Sequence, residues 1–141
     1  MIDIESQVFR AVLFAVTPAL TEMGVQNVQN HVANEYVKGP AFFPHVSVVE
    51  TNNVSDTDTQ TSSCGENFAA VTYEVNVYSN KQIGRKRECK SLMAIIDEVM
   101  LDHGFTRVSL ENVPNLLDAT VYRMVGRYTA LVSRDEILYR R

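Results

Sequence analysis

The sequence has few of the features that mark secreted or membrane proteins. Its 141 residues include two cysteines, Cys64 in a polar stretch and Cys89 in an apolar helical stripe. We interpret both as unpaired thiols, which suits a protein made in a reducing cytoplasm. The N-terminal residues show no basic segment followed by an apolar run and a cleavage site, and no apolar run is long enough to cross a bilayer. We therefore expect neither secretion nor insertion into a membrane.

The usual patterns of metal, nucleotide and hydrolase sites are also missing. The three histidines lie far apart, and none has another ligand residue at metal-binding spacing. Asp56 and Asp58 resemble the start of a calcium loop, but Thr61 and Asn67 stand where a glycine and a bidentate glutamate are required. GxSxG, Walker A and GxGxxG motifs are absent. The sequence thus predicts a protein without metal, cofactor or enzymatic activity.

The clearest pattern runs from Phe68 to Phe105, where a strand is followed by an amphipathic helix. Apolar residues alternate with a mixed set from Ala69 to Tyr78, which is the period of a strand with one face toward a core. From Cys89 to Met100 the apolar residues recur at the spacing of one helical stripe. Gly104 is typical of a helix stop, and Phe105 follows it in position for a hydrophobic capping contact. We expect this helix to pack on the apolar face of the strand.

The N-terminal segment predicts a second helix. Apolar residues from Ile4 to Ala19 fall on one side of a helix that starts near Asp3. Pro18 is expected to kink this helix or to restart it with Thr17 as a new cap, and Gly24 is expected to end it.

Further strands are predicted at 45–50, 106–110 and 119–133, the last with Gly126 as a bulge. Residues 25–39 have a weak pattern, which we interpret as a loop or a short strand near 35–38. The order predicts an α+β fold, with a small antiparallel or mixed sheet of about four strands. The N-terminal helix and the central amphipathic helix pack on one face of that sheet. No linker interrupts the chain, so residues 1–141 are expected to form a single domain.

Two segments look unlike the rest of this domain. Residues 51–67 are nearly all small and polar, which predicts a mobile loop joining two strands. The tail at 134–141 is charged apart from Ile137, Leu138 and Tyr139, and it need not be fixed in an isolated subunit.

Five cations gather at the beginning of the central helix, where the helix dipole disfavours them. One interpretation is a well-solvated loop, in which each charge costs little. The other is a surface facing an acidic neighbouring subunit or a phosphate backbone. The net charge of −4 argues against nucleic-acid coating as the main role. The cluster consists of Lys81, Arg85, Lys86, Arg87 and Lys90.

The arrangement resembles the tail terminator, or tail-completion, family of long-tailed bacteriophages, with a fold like that of the terminator of phage lambda. The likeness lies in the order of the elements and covers essentially the whole chain. An amphipathic N-terminal helix precedes the proline-entered strand FPHVSVVE. After a polar loop come the strand ending in EVNVYS, the helix RECKSLMAIIDEVMLDHGF and the closing strand VYRMVGRYTALV.

The resemblance implies a structural virion protein rather than an enzyme. Members of this family form a hexameric ring on the tail tube, stop its growth and present a surface for the head connector. The implied partners are further copies of the chain, the tail tube protein and the head-completion protein, with DNA only in transit through the channel and no membrane. The implied location is the tail-neck junction of the virion, after assembly in the bacterial cytoplasm.

Contacts in such a ring can be assigned only from charge and expected exposure. For contacts with a neighbouring subunit or with the channel we select Lys81, Arg85, Lys86, Arg87, Asp97 and Asp102. For contacts of the polar loop and the tail with partner proteins we select Asp56, Asp58, Ile137 and Tyr139.

Three other readings stay open. A head-to-tail connector or another neck protein differs from a terminator in its binding partner. A small α+β enzyme or ligand-binding domain would make Tyr73, His45 and Cys89 the first residues to inspect. A nucleic-acid-binding module would use the basic cluster, and its affinity for duplex would fall steeply with salt.

Overall fold

A computed structural model describes residues 1–37, 39–55, 68–114 and 118–139. The fold is α+β, as predicted, with two α-helices and a mixed sheet. In chain order the elements are α1 (Glu5–Glu22), a 3-10 helix (Val28–Asn30), β1 (Val32–Ala33), β2 (His45–Ser55), β3 (Phe68–Ser79), α2 (Arg85–Asp102), β4 (Thr106–Asn112), β5 (Tyr122–Ser133) and β6 (Leu138–Tyr139).

The predicted strand and helix between Phe68 and Phe105 are confirmed as β3 and α2. The alternating apolar residues of β3, from Ala69 to Val77, are all buried. The stripe of α2 is buried at Cys89, Leu92, Met93, Ile96 and Met100. The two elements share one hydrophobic core, so the change of period in the sequence marks the change from strand to helix.

Both helices end in the same way. Gly24 and Gly104 have φ values of 88° and 98°, which residues with a side chain rarely adopt. After α2 the amide of Phe105 donates to the carbonyl of Met100 at 3.0 Å, and after α1 the amide of Val25 donates to Leu20 at 3.0 Å. These bonds satisfy carbonyls at the helix ends, and Phe105 is fully buried. The two predicted glycine stops are confirmed.

Pro18 does not break α1, which corrects the prediction that the helix restarts there, while a kink in the helix axis stays a prediction. The helix runs without interruption from Glu5 to Glu22 with Pro18 inside it. Thr17 is not a new cap, because its hydroxyl donates to the carbonyl of Leu13 at 2.6 Å within the same helix. The buried stripe of Val8, Val12, Val16 and Leu20 continues past the proline. Packing of that stripe explains why one missing helix hydrogen bond is tolerated.

The sheet has more strands than the four or so predicted. Five strands follow the order β1, β2, β3, β5, β4, and β6 pairs with β5. Among the strands of the described residues only the pairing of β1 with β2 is parallel, so the sheet is mixed. Two of the strands have two residues each, which is too short for a recognisable period.

The polar segment after Glu50 contributes more strand than its composition suggested. Residues 51–55 belong to β2, in which 52–55 pair with β3 between Ala69 and Thr72 and Thr51 falls at a register shift between Glu50 and Asn52. Strand pairing therefore overrides the low strand propensity of TNNVS. The rest of the predicted loop, residues 56–67, lies outside the described residues.

The segment 25–39 also differs from its prediction. It contains a 3-10 helix and the short strand β1, at Val32–Ala33 rather than near 35–38. In the tail, Leu138 and Tyr139 pair with Val132 and Leu131 of β5.

Gly126 is not a bulge, because β5 pairs with β3 without a register shift from Phe68 to Ser79. A Cβ atom at Gly126 would lie 3.0 Å from the ring of Tyr128 and 3.3 Å from the sulfur of Met93. The glycine is there to make room for the tyrosine ring above it.

Both helices pack on one face of the sheet, as predicted. α1 contacts β2 and α2, and α2 contacts β3, β4 and β5. We call this side the helix face and the opposite side the outer face. The main core lies on the helix face and includes Val12, Val16, Leu92, Ile96 and Phe105 from outside the sheet.

Candidate functional site

The predicted basic cluster is brought together at the start of α2. Lys81 lies 3.7 Å from Glu88, and its side chain is 63% exposed. Within the described ranges Arg85, Lys86, Arg87 and Lys90 form no ion pair. By contrast, Arg107, Arg123 and Arg127 of the sheet all pair with carboxylates. Arg10 of α1 also has no ion pair in the described part of the chain, but it stands alone, whereas the cations at the start of α2 form a group.

An exposed aliphatic residue stands beside these cations. Ile83 is 86% exposed, in the turn before the helix. Gly84 has a φ of 85° and supplies no side-chain cap. An open groove of about 670 Å³ follows this corner, lined by Ile83, Gly84, Lys86, Arg87, Lys90 and Ser91. The corner thus combines positive charge with uncovered apolar surface.

The two acids selected from sequence occupy different settings. Asp97 accepts hydrogen bonds from the guanidinium of Arg107 at 3.1 Å and from the hydroxyl of Tyr128 at 2.9 Å. Burial and the bond to Asp97 raise the pKa of Tyr128. Asp102 is exposed in the last turn of α2. Asp97 is thus engaged within its own subunit, whereas Asp102 is directed to solvent. A contact of either acid with a neighbouring copy stays a prediction.

Sequence reasoning missed an acidic cluster at the start of α1. Carboxylate oxygens of Asp3, Glu5 and Glu50 all lie within 4.8 Å of one another. Burial raises the pKa of Glu50, and the charges of Glu5 and Asp3 raise it further, against the opposing hydrogen bonds from Tyr73 and Asn53. Three such carboxylates can ligate a hard cation or accept hydrogen bonds from amino groups. Glu50 is distant from the other two in sequence, so no local spacing signals the cluster.

The acidic and basic clusters lie at opposite ends of the helical layer. The start of α1 packs against the end of α2, where Ile4 and Val8 line a small cavity with Val99, Met100 and His103. α2 has 18 residues, and at about 1.5 Å per residue its ends lie roughly 27 Å apart. Asp102 belongs to the same end as the acidic cluster. The two clusters therefore cannot neutralise each other within one subunit.

A layer of buried polar side chains covers one end of the outer face. His45, Ser47, Asn76 and Tyr78 alternate with the core residues of β2 and β3 and are each at most 5% exposed. Arg123 donates to the Asn76 side-chain oxygen at 2.9 and 2.7 Å, and it also lies over the ring of Tyr78.

This layer is covered by residues 34–37 and 39–44, which we call the cover segment. The hydroxyl of Tyr78 donates to the carbonyl of Val37 at 3.4 Å, and the guanidinium of Arg123 lies 6.0 Å from the ring centre of Tyr36. His31 Nδ1 donates to the carbonyl of Pro44 at 2.7 Å. The weak sequence pattern of 25–39 thus belongs to a segment that follows the sheet surface.

Three polar atoms in this layer have no hydrogen-bond partner among the described residues. They are both ring nitrogens of His45 and the hydroxyl of Ser47. Burial, and secondarily the charge of His31, lowers the pKa of His45 from 6.5. A neutral imidazole is therefore favoured at this position.

The three residues named for a small-molecule pocket do not converge on one site. Tyr73 and Cys89 lie in the core of the helix face, whereas His45 lies on the outer face. Burial raises the pKa of the Cys89 thiol to about 12. Its sulfur lies 3.6 Å from the carbonyl of Val77. These features fit a structural thiol rather than a nucleophile.

The far edge of the sheet carries further apolar surface. β4 is the last strand of the sheet order, and Val108 and Leu110 are 61% and 42% exposed. A groove of about 300 Å³ runs between β4 and α2, with Met93, Leu110 and Met124 in its lining. Among the described strands none pairs with the outer side of β4.

The loop and tail positions selected from sequence are only partly described. Asp56 and Asp58 fall outside the described residues. Ile137 is 52% exposed in the turn before β6. The backbone of Tyr139 pairs with Leu131. Contacts of these residues with partner proteins stay predictions.

Comparison with protein-family models gives no match to this chain, and a search of curated proteins likewise finds no match. Neither described helix has the length and apolar character needed to span a bilayer. The case for a function therefore depends on the surfaces described above and on the arrangement of elements along the chain.

Proposed function

We propose that the protein is a structural subunit of a homo-oligomeric ring that caps a phage tail tube, ends its growth and offers a surface for head joining. The main observation in favour of assembly into a ring is the exposed edge of β4. Its outer side is unpaired within the described residues, and Val108 and Leu110 are exposed. An unpaired strand edge with exposed apolar side chains can pair with another chain, so this edge is suited to a contact between copies.

The tail-terminator part of the proposal is supported by the resemblance in the order of elements. A ring needs heterologous contacts, in which two different patches of one subunit meet on neighbouring copies. The β4 edge and the charged ends of the helical layer provide patches of this kind. A head-to-tail connector is the nearest alternative, because it would use the same surfaces against a different partner.

The first test is the mass of the purified protein by light scattering, together with negative-stain imaging. We expect a hexameric ring with a central hole, either in solution or when tail tubes from the same source are added. Binding at the end of the tube supports a terminator, whereas binding to heads but not to tubes supports a connector. A monomer that neither tubes nor heads recruit would contradict both.

A charged substitution tests the β4 edge within this assembly. Val108→Glu should abolish the ring, because it buries a charge wherever the edge is covered. The matched control is Gln29→Glu, which places the same charge on the exposed surface of the 3-10 helix. We expect the control to assemble normally. Assembly of both variants would show that this edge is not a contact.

A ligand-binding function has one observation in its favour, the buried unpartnered atoms of His45 and Ser47. A bound small molecule or water on the outer face would satisfy them. Mass spectrometry of the protein under non-denaturing conditions distinguishes these cases, since a retained organic ligand adds a mass that is lost on unfolding.

A further inference from the structure

We propose that the basic end of the helical layer of one subunit binds the acidic end of the next copy, so that charge sets the direction of assembly. This inference rests on the proposed ring and identifies a contact within it. The basic end comprises Ile83, Lys86, Arg87 and Lys90, and the acidic end comprises Asp3, Glu5 and Glu50.

The basic end has the properties of an incomplete contact. Lys86, Arg87 and Lys90 are exposed and have no ion pair among the described residues. They stand at a helix N-terminus, where the backbone dipole adds to their repulsion. Ile83 is 86% exposed beside them, and the groove between them is open. A partner for this groove must supply carboxylates together with apolar surface.

The acidic end has the complementary properties. The oxygens of its three carboxylates lie within 4.8 Å, so they repel one another. None of them has an ion pair within the described part of the chain. Asn53 donates to the carbonyl of Ile2 at 2.8 Å, which holds the N-terminal segment beside β2. Two exposed aliphatic side chains belong to the same segments, Met1 at 99% and Val54 at 51%.

The separation of the two ends determines how they can meet. Because the acidic end packs beside the last turns of α2 and the basic end stands at its first turns, one subunit does not bring its own two ends together. Two copies can do so as a closed antiparallel pair, which leaves no end free, or head to tail, which leaves one free end of each kind, and the proposed ring requires the head-to-tail arrangement. Such a contact is heterologous, and it closes into a ring when the rotation between copies divides a full turn.

Cross-linking tests the contact even when association is weak. Copies made with light and heavy nitrogen are mixed and treated with a carbodiimide, which joins amines to carboxylates in direct contact. We expect mixed-isotope links from Lys86 or Lys90 to Asp3, Glu5 or Glu50. They should disappear when salt is raised from about 0.1 M to about 1 M, because the screening length falls from about 10 Å to about 3 Å. Lys81 should instead link to Glu88 of its own copy, which serves as an internal control.

Reversal of charge at the proposed contact provides a second test. Arg87→Glu should weaken self-association by about tenfold or more, measured by sedimentation, because it places like charges in contact. Adding Glu5→Lys to the same chain should restore much of that loss. The control is Arg10→Glu, which makes the same change in net charge on the exposed surface of α1 and should not weaken association.

Each result bears on the inference separately from the ring. The proposed contact would be overturned if no mixed-isotope links form, or if they join only other residues. It would also be overturned if copies do not associate and Arg87 instead contributes to salt-sensitive binding of duplex DNA. If Arg87→Glu still forms rings on tail tubes, the proposed function survives and this contact is wrong. Head-to-tail contacts that form only open filaments, with no recruitment to tubes, would support the contact and refute the tail-capping function.

Discussion

The helix face of the sheet and one end of its outer face are both buried, but by different chemistry. On the helix face, α1 and α2 cover the apolar side chains of β2, β3 and β5. On the outer face, the cover segment lies over His45, Ser47, Asn76 and Tyr78. The first face gains stability from apolar area removed from water, whereas the second must satisfy each polar group that it buries. The comparison indicates that the helix face holds the fold together and that the outer face is the more sensitive to conditions.

The largest expected effect is loss of packing on the helix face. Ile96→Ala removes a fully buried side chain of α2. We expect it to lower the free energy of unfolding by about 2 to 5 kcal/mol, measured by urea denaturation. The control Ile83→Ala changes the same residue type where it is 86% exposed, and should stay within about 0.5 kcal/mol of wild type. A similar loss in both would show that α2 is not part of the main core.

The next effect tests how closely that face is packed. Gly126→Ala places a Cβ 3.0 Å from the ring of Tyr128, which is held by its bond to Asp97. We expect a loss of about 1 to 3 kcal/mol, because the ring must move within a filled core. Gly39→Ala is the control, because no atom lies within 4 Å of its added Cβ. If Gly126→Ala left the free energy of unfolding unchanged, the ring of Tyr128 would have to move aside at little cost.

On the outer face, the arginine that satisfies Asn76 should matter more than its exposed neighbour. Arg123→Leu leaves the buried oxygen of Asn76 without its two donors, which should cost about 1 to 3 kcal/mol. Arg127→Leu, also on β5, removes ion pairs of a side chain that is 39% exposed and should cost less than about 1 kcal/mol. Equal losses in urea denaturation would remove the distinction between a buried and a solvated arginine.

The smallest expected effect is a dependence of stability on pH that comes from His45 on the outer face. The unfolded chain protonates His45 at about 6.5, whereas the folded protein resists that proton because its pKa is lowered by burial. The stabilising contribution is therefore complete above about pH 6.5 and is lost as the pH falls below it. His45→Phe should reduce this loss in thermal denaturation. Protection of the amides in the cover segment, relative to the intrinsic exchange rate at each pH, should fall at low pH in wild type and less in the variant.

The sequence predicted the helix face far better than the outer face, and the reason is periodicity. The alternation in β3 and the stripe in α2 each follow one repeating geometry, so the shared core could be inferred. The cover segment has no repeat, because each of its residues meets the sheet through a separate contact. The charge cluster at the start of α2 is contiguous in sequence and was found. The acidic cluster joins Glu50 to the start of α1 through tertiary packing, and no local pattern reports it.

The position of β5 in the chain has a consequence for synthesis. Three strands pair with β5, and two of them, β3 and β4, precede it. One edge of β3 therefore emerges from the ribosome unpaired and stays unpaired until residues 122–133, which form β5, have been synthesised. At about 5 to 20 residues per second this delay lasts several seconds, during which the apolar strand is open to wrong partners. Slowing translation after β3 should thus increase the share of nascent chain that chaperones retain, which pull-down of stalled ribosomes would measure.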